Sequence, residues 1–185
     1  MEEQEEKWMT VRRFKELISA LDLSERDYNC DPFVVRKKRG RKRYEAILVE
    51  PTSTGGLVIS CDDALNEHCG LEKIGDFRTL FTGKVVYDDK EQELDLDAPV
   101  AVVIEGEWYS VIDEVFNVMV DKDPYGGCYV MGKVGKVDLT DEDCKAIGIS
   151  SQLKEYVVIS DSGRRVRKVS GNIMTNLVTG QSYYL

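Results

Sequence analysis

The amino-acid sequence predicts an α+β domain that is rich in antiparallel strands and carries two or three short helices. Short apolar segments recur about every ten residues with glycine or aspartate turns between them, which is typical of sheets built from hairpins. Other segments carry helix caps or place apolar residues three and four positions apart. In a chain of 185 residues, these observations predict one domain, a sandwich or an open barrel with helices packed on it.

Three segments are predicted to be helical. Thr10 is the expected N-cap of the first helix. This helix is predicted to end at about Leu21. Its apolar face consists of Val11, Phe14, Ile18 and Leu21. Ser60 is the expected cap of a helix over residues 61–70, and Thr140 is the expected cap of a short acidic helix that ends at Gly148.

Five hairpins are predicted from paired apolar segments with turn residues between them. The expected strand pairs are residues 33–38 with 42–50, 84–87 with 93–96, 100–104 with 108–112, 115–120 with 129–134, and 156–160 with 166–169. Residues 56–60 form a separate buried strand, and one or two more strands are expected around Thr179-Gly180. In the strand 93–96 the leucines alternate with acidic residues, so one face is expected to be apolar and the other acidic.

Residues 1–9 are predicted to be a solvated acidic tail, and residues 10–185 a single domain. The acidic amino terminus and the absence of an apolar run near the ~20 residues of a membrane span predict an intracellular protein, either cytoplasmic or, given the sequence RKKRGRKR, nuclear. The five cysteines are odd in number and irregular in spacing, with no CxxC pair. They are therefore expected to be free, buried thiols.

Charge is distributed very unevenly along the chain. The net charge is −9, yet residues 36–43 read RKKRGRKR and residues 164–168 read RRVRK. We call these the basic hairpin and the second basic segment. Their cations are Arg36, Lys37, Lys38, Arg39, Arg41, Lys42, Arg43, Arg164, Arg165, Arg167 and Lys168. The remaining chain holds fourteen cations against thirty-four acids, and its most regular acidic stretch, which we call the acidic segment, consists of Glu93, Asp95 and Asp97.

The basic hairpin is the clearest candidate for a binding surface. Cations crowded beside a two-strand turn repel one another, and an anionic partner relieves that repulsion. The first interpretation is contact with an acidic protein surface, either the acidic segment of the same chain or of a neighbouring subunit, or another protein. Nucleic-acid phosphates are the second interpretation, a nuclear localisation signal is the third, and a solvated face without a function is the fourth.

No catalytic residue, metal ligand, cofactor or small-molecule substrate is predicted. The single histidine, His68, is expected to have a structural role near a helix end. Asp88-Asp89-Lys90 has the Asp-x-Lys spacing of metal-dependent nucleases, but the same residues favour the turn in which they are expected. Residues 121–127 begin like a calcium loop but lack its later ligands.

The adjacent aromatic pairs Trp108-Tyr109 and Tyr183-Tyr184 indicate how the faces of their strands are covered. Neighbouring residues on a strand point to opposite faces. Either one member of each pair is exposed, as in many protein interfaces, or the sheet is covered on both faces.

The sequence therefore predicts a non-enzymatic interaction or structural protein, without membrane contact. The expected role is that of a subunit or adaptor in a larger assembly, such as a viral or phage particle, with surfaces of complementary charge. The alternative is a nucleic-acid-binding accessory protein that contacts phosphates through the basic hairpin. A metal-dependent hydrolase is the third hypothesis.

Overall fold

A computed structural model describes residues 7–24, 32–63, 73–82, 85–87, 90–119 and 128–148, and the backbone of residues 156–161, 164–169, 173–176 and 182–184. The described part is strand-rich, with three short helices: α1 (Val11–Ser19), α2 (Ile74–Thr82) and α3 (Asp141–Ile147). The strands are β1 (Met9–Thr10), β2 (Phe33–Lys37), β3 (Arg43–Pro51), β4 (Leu57–Asp63), β5 (Val85–Tyr87), β6 (Lys90–Gln92), β7 (Pro99–Ile104), β8 (Glu107–Met119), β9 (Cys128–Lys136), β10 (Tyr156–Asp161), β11 (Arg164–Val169), β12 (Ile173–Asn176) and β13 (Ser182–Tyr184).

Six of these strands close into a barrel. The order is β7-β4-β3-β2-β9-β8, and β8 pairs back onto β7. Four of the six pairs are antiparallel, whereas β2–β9 and β4–β7 are parallel. The expected antiparallel sandwich or open barrel is therefore corrected to a closed, mixed barrel. Turn signals predict only pairs between strands that follow one another, and both parallel pairs join strands that are far apart in the sequence.

Four predicted hairpins are confirmed: β2–β3, β7–β8, β8–β9 and β10–β11. The β7–β8 turn holds Glu105 at φ 50° and Gly106 at φ 79°, as the tightest hairpin turns require. The strand predicted for residues 93–96 is wrong, because β5 pairs with β6 instead. Residues 95–98 form a turn, in which the Ala98 N–H donates to the Asp95 carbonyl at 3.0 Å.

Two of the three predicted helices are confirmed. The Thr10 side chain accepts from the Arg13 N–H at the start of α1, and α3 has a capping box and ends at Gly148 with φ 86°. The helix predicted over residues 61–70 is wrong at its start, since 61–63 continue β4. The rest of that segment, with His68, lies outside the described residues.

Helix α2 was not predicted. Its apolar residues Ile74, Phe77, Leu80 and Phe81 recur at helical spacing, which is the signal that could have identified it.

Along β7 and the start of β8, the barrel wall is buried on both of its faces. Along β7, Val100, Val102 and Ile104 belong to the interior core, while Ala101 and Val103 belong to a second cluster. That second cluster also contains Trp8, Val58, Trp108 and Ile147. Tyr109 points to the interior and Trp108 to the outer cluster, so the adjacent aromatic pair reflects a sheet that is covered on both faces. The side chains of Tyr183 and Tyr184 lie outside the described residues.

The amino-terminal segment enters the fold earlier than predicted. Trp8 and Met9 are buried, and β1 pairs with the start of β7. The expected solvated tail therefore does not extend to residue 9, because these two apolar side chains gain more from burial than from exposure. Residues 1–6 lie outside the described part.

The strands after residue 155 form a four-stranded antiparallel meander in the order β10-β11-β12-β13. Strand β11 carries the second basic segment, and its register pairs Arg164 with Asp161 and Arg167 with Val158.

Among the described residues, no helix has both the length and the apolar character needed to cross a bilayer. Cys61 and Cys144 are free and buried, which confirms the prediction for these two thiols.

Gly132 on β9 gives a prediction for the barrel interior. A Cβ there would lie 3.0 Å from Cζ of Phe33, and the Phe33 ring is packed against Phe14 and Phe77. We expect Gly132→Ala to lower the free energy of unfolding by about 2 kcal/mol through overpacking. Gly135→Ala on the same strand is the matched control, because its Cβ would meet only Ile112 at 3.8 Å. Urea unfolding measures both, and equal effects would contradict the prediction.

Candidate functional site: the basic end of the barrel

The strand directions define two ends of the barrel. The last residues of β2, β4, β7 and β9 and the first residues of β3 and β8 meet at one end. We call it the basic end, because the turn of the basic hairpin lies there. The loops over residues 52–56 and 93–98 meet at the opposite end, where the Asp95 N–H donates to the Gly55 carbonyl at 2.9 Å. We call this the acidic end.

The basic hairpin is fixed to the barrel by its backbone. The Lys38 N–H donates to the Val134 carbonyl of β9 at 2.9 Å, and the Gly40 N–H donates to the Lys37 carbonyl at 2.9 Å. The tip side chains Lys38, Arg39 and Arg41 are exposed. The hairpin therefore presents its cations from a backbone that is held at its base.

Two buried tyrosines form a platform under the hairpin. The Nζ atom of Lys37 lies 5.4 Å from the ring centroids of both Tyr44 and Tyr109, and these tyrosines are 4% and 3% exposed. Nζ of Lys42 also lies over Tyr44, at 5.3 Å. Such cation–π contacts contribute about 1 kcal/mol each when partly desolvated, so the base of the hairpin is held by its side chains as well.

A polar chain extends the platform along the rim. The Tyr109 hydroxyl donates to Oε2 of Glu107 at 2.9 Å, and Nζ of Lys136 donates to Oε1 of the same carboxylate at 3.3 Å. These two hydrogen bonds lower the pKa of Glu107. Burial lowers the pKa of Lys37, but its hydrogen bond to Tyr109 and the nearby charges outweigh burial and raise it. The charges at the base thus persist at neutral pH.

Lys37, Lys42 and Arg43 at the base of the hairpin have partners, whereas Arg36 and the tip cations have no ion pair within the described residues. Nζ of Lys42 lies 3.9 Å from Oε1 of Glu105, and the Arg43 guanidinium lies 5.3 Å from the Tyr129 ring centroid. In the described part of the chain, no carboxylate lies within ion-pair distance of Arg36, Lys38, Arg39 or Arg41. The tip is accordingly the surface with unneutralised positive charge.

The acidic segment lies at the other end of the barrel. Glu93, Asp95 and Asp97 are all exposed. Strand β7 separates the two ends, and its six residues span about 17 Å. That distance exceeds the Debye length of about 10 Å at moderate ionic strength. The contact between the basic hairpin and the acidic segment of the same chain, one of the predicted alternatives, is therefore not formed.

The sequence identified the cations but missed the residues that organise them. Tyr44 is adjacent to the basic hairpin, whereas Tyr109, Glu107 and Lys136 come from β8 and β9. Only barrel closure brings these later residues under Lys37, and no local pattern marks them. The side chains of the second basic segment lie outside the described residues.

Among the described residues, the structure shows no metal site that would support the metal-dependent hydrolase hypothesis. Over the residues that the structure describes, no group of three or more histidine, cysteine or acidic side chains is arranged to hold a metal ion. Asp88, Asp89, His68 and residues 121–127 lie outside that part.

Comparison with models of known protein families, with curated proteins and with solved structures finds no match to this chain.

Proposed function

We propose that this chain is a non-enzymatic interaction protein, a subunit or adaptor of a larger assembly, whose basic end contacts an acidic protein surface. One observation carries the proposal. The tip cations Arg39 and Arg41 are exposed and lack ion pairs among the described residues, while the base of the same hairpin is fixed by Tyr44, Tyr109 and the barrel.

A fixed base favours specific binding. Ordering a flexible loop costs free energy on association, and a hairpin that is already held loses less. Like charges at the tip repel one another in the unbound protein, and a carboxylate surface removes that repulsion. Charge complementarity would then set the orientation and rate of association more than its strength.

An acidic protein surface fits the rim better than a nucleic acid. Glu105 and Glu107 lie at the same rim as the hairpin, and the chain as a whole carries −9. A long polyanion would extend past the hairpin and meet these negative charges, whereas a compact acidic patch would not. The alternative, phosphate binding, is favoured by the exposed arginines, whose guanidinium groups suit phosphate as well as carboxylate.

Binding of two labelled probes tests the proposal. The probes are a short polyglutamate peptide and a mixed-sequence DNA duplex of similar length, measured by fluorescence anisotropy at physiological ionic strength. We expect Arg39→Gln with Arg41→Gln to weaken polyglutamate binding about fivefold, because each exposed ion pair contributes about 0.5 kcal/mol.

Lys15→Gln with Lys145→Gln is the matched control. It removes the same charge from α1 and α3, which are hydrogen-bonded to the loops of the acidic end, and binding should hardly change. Tight binding of the duplex without binding of polyglutamate would overturn the proposal and put the nucleic-acid alternative first. If the arginine variant and the wild type bind polyglutamate equally well, the hairpin is not part of the contact.

A further inference from the structure

The basic hairpin and the acidic segment lie at opposite ends of the barrel. We infer that the acidic surface contacted by the basic hairpin is the acidic segment of a second copy of this chain, so that copies associate head to tail. The inference rests on the proposed function and names its partner.

The acidic segment is a fixed surface. The backbone N–H groups of Val11 and Arg12, at the start of α1, donate to the carbonyls of Ala98 and Leu96 at 2.9 Å each. Oδ1 of Asp95 accepts from the Asp97 N–H at 2.9 Å. The backbones at residues 55 and 95 approach so closely that a Cβ on Gly55 would lie 2.7 Å from the Asp95 nitrogen. The backbone that carries Asp95 and Asp97 is therefore held in one conformation.

The acidic segment keeps most of its charge. Its one cationic partner among the described residues is Arg12, which lies 3.3 Å from Oδ1 of Asp97 with both side chains largely exposed. The neighbouring Arg13 on α1 is paired with Glu16 and Asp113 instead. Within the described part, Glu93 and Asp95 have no ion pair. Two carboxylates are thus available to the cations of another molecule.

An exposed leucine lies among these carboxylates. Leu96 is 36% exposed, and it is flanked by Asp95 and Asp97. Isolated exposed leucines are common, but one placed between carboxylates suits the aliphatic stems of lysine and arginine, which cover apolar surface while their charged ends meet acids. The hairpin tip carries three such side chains: Lys38, Arg39 and Arg41.

The positions of the basic and acidic ends determine which symmetry a contact between two copies can have. A twofold contact through either end would set like charges against each other. A head-to-tail contact pairs opposite charges and leaves one free basic end and one free acidic end on every dimer. Such contacts continue into a ring or an open filament.

Two neutralised variants test the inference by light scattering coupled to size-exclusion chromatography at low ionic strength. The basic-end variant carries Arg39→Gln and Arg41→Gln. The acidic-end variant carries Glu93→Gln and Asp95→Asn, which retains an oxygen acceptor for the Asp97 N–H. We expect the wild type to exceed the 21.0 kDa monomer mass and to dissociate as salt is raised. Each variant alone should associate about fivefold more weakly, so that it is mainly monomeric at the concentration where half of the wild type is assembled.

Mixing the two variants gives the decisive result. The intact acidic end of one variant fits the intact basic end of the other, whereas the second interface is neutralised on both sides, so the mixture should form mainly one-to-one dimers. Circular dichroism of each variant should match the wild type, because all four side chains are exposed.

Three results would overturn the head-to-tail contact: a wild type that is monomeric at low salt, an acidic-end variant that assembles like the wild type, or a mixture that stays monomeric. If the basic-end variant still loses polyglutamate binding in that case, the proposed function stands and only the identity of the partner is wrong. If polyglutamate binding is unchanged, the proposed function fails as well.

Discussion

Replacing Phe14 with alanine is expected to lower the free energy of unfolding by about 4 kcal/mol. Phe14 is fully buried, and its ring makes edge-to-face contacts with Phe33, Phe77 and Phe81 at centroid distances of 5.7, 5.6 and 5.8 Å. Aromatic pairs of this kind contribute about 1 kcal/mol each beyond the burial of their surface. Truncation removes three pairs at once and leaves a cavity where α1, β2 and α2 meet.

Urea unfolding and thermal melting measure this effect. For a chain of this size, the expected loss corresponds to a decrease of about 10 °C in Tm. Phe14→Leu, which keeps most of the apolar volume, should lose about 1–2 kcal/mol and remains measurable if the alanine variant does not fold.

The matched control for Phe14 is Phe116→Ala. Phe116 lies on β8 and is 37% exposed, so its truncation should cost less than about 1 kcal/mol. Similar losses at the two positions would show that the phenylalanine cluster does not hold the helices on the barrel.

Replacing Asp143 with asparagine is expected to destabilise the protein by about 2 kcal/mol at neutral pH. Asp143 is only 7% exposed. Its Oδ1 accepts from Nε1 of Trp8 at 3.0 Å, and its Oδ2 accepts from the Thr140 N–H at 2.9 Å and from Nζ of Lys7. One carboxylate thus joins the amino-terminal segment to α3, and asparagine would turn an amide donor toward these donors.

The pKa of Asp143 sets the pH dependence of this effect. Burial raises that pKa, but the hydrogen bonds from Lys7, Thr140 and Trp8 outweigh burial and lower it from 3.8 to about 2. A pKa that is lower in the folded state than in the unfolded state stabilises the protein above the unfolded value. The contribution is complete above about pH 5 and is lost as pH falls from about 4 to 2, and at 1.36 kcal/mol per pKa unit it amounts to about 2 kcal/mol.

Unfolding of the wild type and of Asp143→Asn, followed by tryptophan fluorescence at neutral pH and near pH 2, tests this linkage. The difference in free energy of unfolding should be large at neutral pH and almost absent near pH 2. Asp113→Asn is the control, because the Asp113 carboxylate pairs with Arg13 at 3.2 Å but is 63% exposed, and exposed pairs contribute little. A difference for Asp143 that persists at low pH would contradict the assignment to its charge.

Local signals in the sequence were sufficient for elements whose contacts are close in the chain. Thr10 and Thr140 cap α1 and α3 as predicted. Arg39-Gly40-Arg41 and Glu105-Gly106 lie in the turns of confirmed hairpins. In each case the stabilising partner lies within a few residues, so the residue types alone specify the structure.

Predictions were wrong where a distant partner decided the conformation. The predicted cap at Ser60 was overridden because Cys61 pairs with Ala46 across β3 and β4. The alternation around Asp95 predicts a strand, but a hydrogen bond to Gly55 holds this segment in a loop. In both places tertiary hydrogen bonds outweighed a local propensity worth only about 1 kcal/mol.

The sequence by itself determined the charge of the basic hairpin and the acidic segment, the strand-rich character, and the hairpins of this protein. Only the tertiary structure decided that the barrel closes through two parallel pairs, that Tyr109 and Glu107 lie beneath Lys37, and that the two charged surfaces face in opposite directions. These features depend on pairing between segments far apart in the chain. Such pairing is chosen by the burial of the whole core, and no short stretch of residues encodes it.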